Sequence, residues 1–187
     1  SEAAVQKGLA TVAGSLDRLI KKEKISATDK EAALAKIKVS TDYSALKAAQ
    51  LVIEAATENE ALKIKILQEV DALVGPEVLI ASNTSSISIT KLAAVTGRAD
   101  KFIGMHFFNP VPMMALVEVI RGLQTSDATH AAVQALAQQL GKTPITVKNG
   151  PGFVVNRVLI PMINEAFSVL AEGLATAEDI DAGMKLG

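Results

Sequence analysis

Short apolar runs alternate with amphipathic helical patterns along most of the chain, and this alternation limits the possible folds more than any other sequence feature. Several runs are apolar on both faces, as strands are when they are buried on both sides. Such runs, separated by helical stretches, are typical of a sheet with helices on its faces, at least partly parallel, and the closer spacing after residue 102 allows antiparallel pairing there. We predict strands over residues 37–40, 51–54, 78–82, 102–108, 116–120 and 145–147.

The helical patterns lie before and between these runs. Residues 2–22 carry apolar side chains at a three-and-four spacing, which predicts an amphipathic helix. A second helix follows, and Thr28 with Glu31 has the pattern of a capping box at its start. We therefore predict a helical hairpin over about residues 1–36, and further helices over residues 60–74, 89–94 and 127–140.

A break at Asn149-Gly150-Pro151-Gly152 separates this pattern from a different one. The helix that follows, as far as Leu170, is apolar nearly all round, and a short capped helix spans residues 176–184. A helix this apolar indicates an all-helical domain or a subunit interface. We predict an α/β domain over residues 1–149 and the beginning of an all-helical domain over residues 150–187. Both chain ends fall in helical patterns, so we expect a fragment of a longer protein.

The composition excludes several classes of protein. Of the 187 residues, 49% are apolar and 21% are charged, which predicts a soluble globular protein and no membrane span. Nineteen basic residues balance twenty acidic ones, so no overall positive field favours nucleic acid or an anionic membrane. With no cysteine and only two histidines, we expect no disulfide and no metal site, and a reducing compartment such as the cytoplasm.

The polar stretch Ser82-Asn83-Thr84-Ser85-Ser86 directly follows a predicted strand. Polar side chains at the carboxyl end of a strand face the crevice in which doubly wound sheets bind ligands. From local composition alone, a Ser/Thr turn that caps the next helix is the simpler interpretation. The two roles are compatible.

His106 lies near the end of another predicted strand, and Glu118 lies inside an apolar one. A histidine among apolar residues is more often a hydrogen-bonded core residue than a catalyst. An ionised carboxylate in a buried strand needs a partner, and His106 is the simplest candidate. Such a carboxylate would fix the tautomer of the ring and leave the other ring nitrogen as a general base. An exposed edge position for Glu118 is the alternative.

Two further polar features allow two interpretations each. Asn156, near the start of the apolar helix, either caps backbone or holds a ligand carbonyl. Lys21, Lys22 and Lys24 form, most simply, a solvated helix end that complements the helix dipole. The chain contains no Gly-x-Ser-x-Gly nucleophile elbow, no Gly-x-x-x-x-Gly-Lys phosphate loop and no Gly-x-Gly-x-x-Gly dinucleotide motif.

Four blocks of sequence resemble the 3-hydroxyacyl-CoA dehydrogenase family, most closely its short bacterial 3-hydroxybutyryl-CoA dehydrogenases. The blocks stand in the order and at the spacing of the family, and the resemblance covers the whole chain. They are Ser-Asn-Thr-Ser-Ser at 82–86, His-Phe-Phe-Asn-Pro at 106–110, Glu118, and Pro-Gly-Phe-Val-Val-Asn-Arg at 151–157.

This resemblance implies the fold more closely than the patterns do. It implies an incomplete Rossmann-type doubly wound sheet with an inserted helical hairpin, followed by the start of an all-helical C-terminal domain that makes a homodimer. It also implies that the first βαβ segment, with the glycine-rich loop that binds pyrophosphate, precedes Ser1.

Site residues are also implied by the resemblance. His106 matches the general base, Glu118 the residue that orients it, Ser85 the residue that hydrogen-bonds the reacting substrate oxygen, and Asn156 the residue that helps hold the substrate carbonyl. The implied NAD contacts are Glu58, Lys63, Asn83, Ser85 and Asn109. The implied contacts to the acyl-CoA substrate are Ser15, Lys22, Ser85 and Asn156.

The activity implied by the resemblance is the NAD-dependent interconversion of (S)-3-hydroxyacyl-CoA and 3-oxoacyl-CoA, with short acyl chains such as 3-hydroxybutyryl-CoA and acetoacetyl-CoA. Two alternatives stay open. One is a module of a multifunctional β-oxidation enzyme, and the other is a non-catalytic, crystallin-like structural protein. The presence of Ser85, His106, Glu118 and Asn156 together favours an enzyme.

Overall fold

A computed structural model describes all residues from Ser1 to Gly187, and its centre is one five-stranded sheet. The strands lie side by side in chain order: β1 (Leu51–Glu54), β2 (Leu79–Ser82), β3 (Phe102–Phe107), β4 (Leu116–Arg121) and β5 (Thr143–Lys148). Strands β3 and β4 are antiparallel, and all other neighbours are parallel. The mixed α/β fold predicted from the alternating pattern is therefore confirmed, including the antiparallel pair after residue 102.

Seven α-helices precede, cover or follow the sheet. They are α1 (Glu2–Lys21), α2 (Ala27–Ala35), α3 (Glu60–Leu73), α4 (Ile89–Ala93), α5 (Asp127–Gln139), α6 (Val155–Ala171) and α7 (Ala177–Leu186). Short 3₁₀ helices cover Tyr43–Ala48 and Ala99–Lys101. The α1–α2 hairpin forms as predicted, and Lys30 of α2 joins Asp17 of α1 at 2.5 Å.

The central strands β2, β3 and β4 are buried on both faces, and their successive residues point to opposite sides of the sheet. Ile80 points into the core that α3 and α4 cover, and Ala81 points into the core that α5 covers. At Gly104 the layers approach so closely that a Cβ would lie 2.8 Å from Cβ of Ile120 and 2.9 Å from Cγ1 of Ile89. A glycine is needed at this position for α4 to pack against the sheet at this distance.

The strand predicted over residues 37–40 is wrong. These residues are exposed and pair with no other strand, and Ile37 and Val39 are 40% and 38% exposed. Alternating apolar residues give a segment the capacity to pair, but a strand forms only where a neighbouring backbone offers donors and acceptors. No such neighbour lies beside this segment in the sheet.

The capping box predicted at Thr28 lies two residues too late. Helix α2 is capped by Ser26, whose hydroxyl accepts from the backbone N–H of Asp29 at 3.0 Å. The Asp29 carboxylate accepts in return from the backbone N–H of Ser26 at 2.8 Å. The pair Ser26 and Asp29 has the same spacing as Thr28 and Glu31, and the shorter aspartate side chain also closes the box.

Helices α6 and α7 lie beyond the sheet. Thr176 caps α7 as the sequence predicts, and its hydroxyl accepts from the Asp179 N–H at 3.2 Å. No residue of α6 is buried although the helix is strongly apolar, and large side chains such as Val158 and Phe167 are each 66% exposed. No helix is both long enough and apolar enough to cross a membrane.

Candidate active site

His106 and Glu118 form a buried pair on neighbouring strands. They lie directly opposite each other in the register of β3 and β4, so their side chains share one face of the sheet. Nδ1 of His106 lies 2.8 Å from Oε2 of Glu118, and the glutamate is fully buried. Because an ionised carboxylate only accepts, Nδ1 carries the hydrogen and donates it. The ring nitrogen Nε2 has no partner within the chain and is free to take a proton.

The second oxygen of Glu118 binds the start of α6. Oε1 accepts from the backbone N–H groups of Val154 and Val155, both at 3.0 Å. No side chain of α6 caps its own N-terminus, so this carboxylate replaces the missing cap and also complements the helix dipole. One buried carboxylate therefore fixes both the histidine tautomer and the position of the helix that carries Asn156. The exposed edge position considered for Glu118 is excluded.

Two aromatic rings enclose the imidazole of His106. The Phe108 ring is tilted with its centroid 4.6 Å away, and the Phe153 ring meets the imidazole edge-on at 5.7 Å. Phe153 has a φ of 51°, a left-handed conformation that costs a bulky side chain free energy. The ring that meets His106 edge-on is therefore carried by a strained backbone position.

A turn at residues 82–86, which we call the serine turn, follows β2 beside the histidine pair. Ser82 lies opposite Gly104 in the register of β2 and β3. The side chain of Asn83 accepts from the Phe107 N–H at 2.8 Å, which ties the turn to the end of the histidine strand. The predicted Ser/Thr turn forms, since Oγ1 of Thr84 accepts from the N–H groups of Ser86 and Ile87, but the cap of α4 is Ser88, outside the turn.

Glu58, in the loop between β1 and α3, reaches into the serine turn. Its carboxylate accepts from the Ser85 N–H and the Thr84 hydroxyl, both at 2.8 Å. Partial burial opposes ionisation of Glu58, but these hydrogen bonds, the charge of Lys63 and a contact from Ser86 outweigh it and lower its pKa from the ordinary 4.5. Glu58 is therefore an anion that holds the turn.

Lys63, for which the resemblance implies a cofactor contact, is buried. Its side chain is 1% exposed, and Nζ donates to Oε2 of Glu54 at 2.6 Å. The Ser82 hydroxyl donates to the same oxygen at 2.8 Å. Glu54 thus joins the end of β1 to the start of the serine turn and to α3, which makes it a second buried acid beneath the site.

Asn109 and Asn156, the remaining asparagines of the predicted site, have free side-chain amides. Neither Asn109 nor Asn156 hydrogen-bonds to another residue, so the capping interpretation of Asn156 is not supported. Asn109 is exposed beyond β3, and Asn156 is half-buried in the first turn of α6, directly after the Val155 amide that binds Glu118. Both amides remain available for a ligand.

Ser15 lies in α1 and Lys22 directly follows its last residue, and both are apart from this cluster. No hydrogen bond or ion pair links α1 to the sheet, and neither residue contacts the histidine pair. The Ser15 hydroxyl accepts from Arg18 at 2.8 Å, and Arg18 lies between Ser15 and Lys22 on the same helix face. None of Arg18, Lys21, Lys22 and Lys24 has an acidic partner within 4.0 Å.

Sequence reasoning missed several residues of the site. Glu54 had a detectable signal, since a charged residue at the end of an apolar strand needs a partner. Phe108 and Phe153 stand beside residues that were singled out, but nothing in their spacing predicts contact with one ring. The amides of Val154 and Val155 have no sequence signal, because any residue except proline supplies a backbone N–H.

Comparison with known proteins finds family models that match nearly the full length of the chain. Residues 1–150 match the family model of the 3-hydroxyacyl-CoA dehydrogenase NAD binding domain, and residues 152–187 match the model of the 3-hydroxyacyl-CoA dehydrogenase C-terminal domain. The chain belongs to the 3-hydroxyacyl-CoA dehydrogenase family. The resemblance seen in the four sequence blocks is therefore confirmed.

Individual members of this family are similar over nearly the full chain. A 3-hydroxybutyryl-CoA dehydrogenase of Bradyrhizobium diazoefficiens is 48% identical over 183 residues, which cover 98% of this chain and 62% of the relative. The fatty acid oxidation complex subunit alpha of Acinetobacter baylyi is 45% identical, covering 95% of this chain and 25% of that subunit. The crystal structure of (S)-3-hydroxybutyryl-CoA dehydrogenase PaaH1 from Ralstonia eutropha superposes with a TM-score of 0.97 at 75% identity, covering 100% of this chain and 66% of that one.

Proposed function

We propose that the protein is an NAD-dependent oxidoreductase that interconverts (S)-3-hydroxybutyryl-CoA and acetoacetyl-CoA. The observation that carries this proposal is the buried pair of His106 and Glu118, with Nε2 of the imidazole free. Support also comes from relatives named 3-hydroxybutyryl-CoA dehydrogenase. The chain spans 62% and 66% of the length of the first two such relatives, so the activity of the whole protein is part of the proposal.

The chemistry assigned to this chain is proton transfer and polar positioning. Nε2 of His106 removes the proton of the 3-hydroxyl group during oxidation and returns it during reduction. Glu118 holds the ring and stabilises the imidazolium that forms. The Ser85 hydroxyl hydrogen-bonds the reacting oxygen, and the Asn156 amide holds the thioester carbonyl. Because oxidation needs the neutral ring and reduction the protonated one, lower pH favours the reductive direction.

The residues at the carboxyl ends of β1, β2 and β3 fit the nicotinamide half of NAD. The Asn109 amide has no partner within the chain, and the Ser85 hydroxyl makes only a long contact of 3.4 Å to Glu58, so both groups are available to a polar ring substituent or a ribose. NAD, when bound, supplies a hydride acceptor or donor at substrate C3. The cofactor contacts proposed for Glu58, Lys63 and Asn83 are less direct, because their side chains are already bonded within the chain.

Coenzyme A recognition is proposed for the exposed face of α1. Ser15 lies in α1, Lys22 is the residue directly after the helix, seven positions later, and Lys22 has no acidic partner. A local cluster of cations suits a ligand with several phosphate groups even though the whole chain carries a net charge of -1.

We further propose a homodimer formed through α6 and α7, a division into domains near residue 150, and a cytoplasmic location.

The histidine role is tested by His106→Gln. We measure oxidation of NADH with acetoacetyl-CoA and, separately, the affinity for NADH. Loss of the base is expected to lower turnover about 10³-fold, with nearly unchanged NADH affinity. The matched control is His130→Gln at the only other histidine, whose Nε2 contacts Thr146 at 2.9 Å away from the site, and this variant should keep full turnover. Retained turnover in His106→Gln would contradict the assignment.

A further inference from the structure

The Glu58 carboxylate contacts three consecutive residues of the serine turn with both of its oxygens. Oε1 accepts from the Ser85 N–H at 2.8 Å and lies 3.4 Å from the Ser85 hydroxyl. Oε2 accepts from the Thr84 hydroxyl at 2.8 Å and lies 3.4 Å from the Ser86 hydroxyl. Each oxygen of the carboxylate therefore makes one short hydrogen bond and one longer contact with this turn.

We propose that Glu58 is a positioning residue that acts through Ser85: it holds the serine turn so that the Ser85 hydroxyl faces the reacting oxygen of the substrate. This inference rests on the proposed dehydrogenase function, in which Ser85 hydrogen-bonds that oxygen. It adds a second role to the less direct cofactor contact proposed above, because the hydrogen bonds that define this role are made within the chain.

The direction of each hydrogen bond requires a carboxylate at position 58. Oγ1 of Thr84 already accepts from the backbone N–H of Ile87 at 3.0 Å and of Ser86 at 3.3 Å. Its own hydrogen must therefore be donated to Glu58, as must the Ser85 N–H. Both oxygens of residue 58 have to accept, and only an ionised carboxylate accepts on both.

A glutamine of the same shape fails in either orientation. If its amide oxygen faces Ser85, its NH₂ group faces the Thr84 hydroxyl, which has no acceptor capacity left. If its oxygen faces Thr84, its NH₂ group opposes the Ser85 N–H. In a half-buried turn, a missing hydrogen bond or two donors that face each other cost more free energy than a hydrogen bond that water replaces. We therefore expect the turn to move.

The hydroxyl of Ser85 is held more loosely than its amide. Its 3.4 Å contact with Glu58 is longer than a normal O–H···O hydrogen bond, whereas the amide contact is short. The backbone of Ser85 is thus fixed while the hydroxyl hydrogen can turn from Glu58 to a substrate oxygen. A turn with a fixed backbone and a hydroxyl hydrogen that can rotate is preorganised for a hydrogen bond that strengthens during the reaction.

The kinetic test is a double-mutant cycle of Glu58→Gln and Ser85→Ala. We expect Ser85→Ala to lower kcat about 10²-fold, Glu58→Gln to lower it about tenfold, and the double variant to match Ser85→Ala, because residue 58 acts only through Ser85. Multiplicative losses, or a raised KM for NADH with unchanged kcat, would instead make Glu58 an independent cofactor contact and overturn the proposal. Glu60→Gln is the matched control, because Glu60 lies two residues after Glu58 in the sequence and pairs with Lys91 at the surface.

Amide hydrogen exchange tests the same inference without turnover. The Ser85 amide is expected to exchange at least about tenfold faster in Glu58→Gln than in the unmodified protein, and to be unchanged in Glu60→Gln. An unchanged Ser85 amide in Glu58→Gln refutes the positioning role. If the unmodified protein does not turn over acetoacetyl-CoA while Glu58→Gln exposes this amide, the dehydrogenase function fails and the hold of Glu58 on the turn stands.

Discussion

At the scale of single residues, the site is built on buried carboxylates that each join two parts of the chain. Glu118 connects the imidazole of β3 to the first amides of α6, and Glu54 connects Lys63 to the hydroxyl of Ser82. A buried carboxylate is stable only when its oxygens are occupied by donors, so each of these acids specifies the position of its partners. Replacing such an acid is expected to change geometry as well as charge.

Glu118→Gln is expected to lower turnover at least about 10²-fold, although the glutamine side chain still fills the space of the glutamate. The amide oxygen of glutamine can accept from Val154 and Val155, so its NH₂ group faces Nδ1 of His106. The neutral ring must then carry its hydrogen on Nε2, which removes the base. Nitrogen NMR of the labelled imidazole measures the tautomer directly.

The control for this change is Glu77→Gln, which alters an exposed acid paired with Lys101. It should leave both the tautomer and turnover unchanged. A hydrogen that stays on Nδ1 in Glu118→Gln would contradict the assigned role of the carboxylate.

The lowered pKa of Glu58 predicts how stability depends on pH. The folded state holds the ionised form through Ser85 and Thr84, whereas the unfolded chain titrates at about the ordinary 4.5. The contribution of Glu58 is therefore fully present above about pH 4.5 and is lost as the pH falls through the lowered folded value. The difference in free energy of unfolding between the unmodified protein and Glu58→Gln should shrink on acidification. A difference that stays constant to about pH 3 would contradict this linkage.

At the scale of elements, one arginine fixes the end of α3 against the entry to β2. The Arg98 guanidinium bonds the Asp71 carboxylate at 2.6 Å and also the carbonyls of Asp71, Val74, Gly75 and Val78. The last carbonyls of a helix have no partners in the helix itself, and here one planar group binds the Asp71 carbonyl of α3 together with carbonyls of the loop that leads to β2. The arginine thereby sets where β2 begins, and so where the serine turn lies.

Arg98→Ala is expected to lower the free energy of unfolding by about 3 kcal/mol, because it leaves a partly buried carboxylate and several carbonyls without a donor. Arg98→Lys should recover only part of this loss, since an ammonium cannot reproduce the planar set of donors. Urea denaturation measures both. Lys65→Gln is the control, because it removes an exposed pair 4.0 Å long and should cost less than about 0.5 kcal/mol. Equal losses in the three variants would contradict this account.

At the scale of the whole molecule, the sheet is covered on both faces while α6 and α7 expose their apolar side chains. These two helices line a groove of about 780 Å³ whose lining residues include Met162, Phe167 and Ile180. Apolar surface of this extent is costly in water and is typical of an interface. The exposed face is the surface that the proposed homodimer would bury.

Phe167→Glu tests the proposed homodimer. A charge in the lining of the groove is expected to convert a particle of twice the chain mass into a single chain, as measured by light scattering or sedimentation. Asn164→Glu, on the same helix but outside the groove lining, should leave the assembly unchanged. A dimer that survives Phe167→Glu, or a single chain before any change, would contradict the proposal.

The sequence by itself determined the alternation of strands and helices, the break near residue 150 and the identity of the family. These follow from local periodicity, turn residues and short motifs, all of which act between near neighbours in the chain. It also predicted that Glu118 would need His106, because a buried charge requires a partner. Only the tertiary structure decided that residues 37–40 form no strand, that Lys63 is sealed against Glu54, and that Glu58 binds the serine turn. These outcomes depend on contacts between backbone and side-chain groups that are far apart in the chain. The local sequence does not specify such contacts.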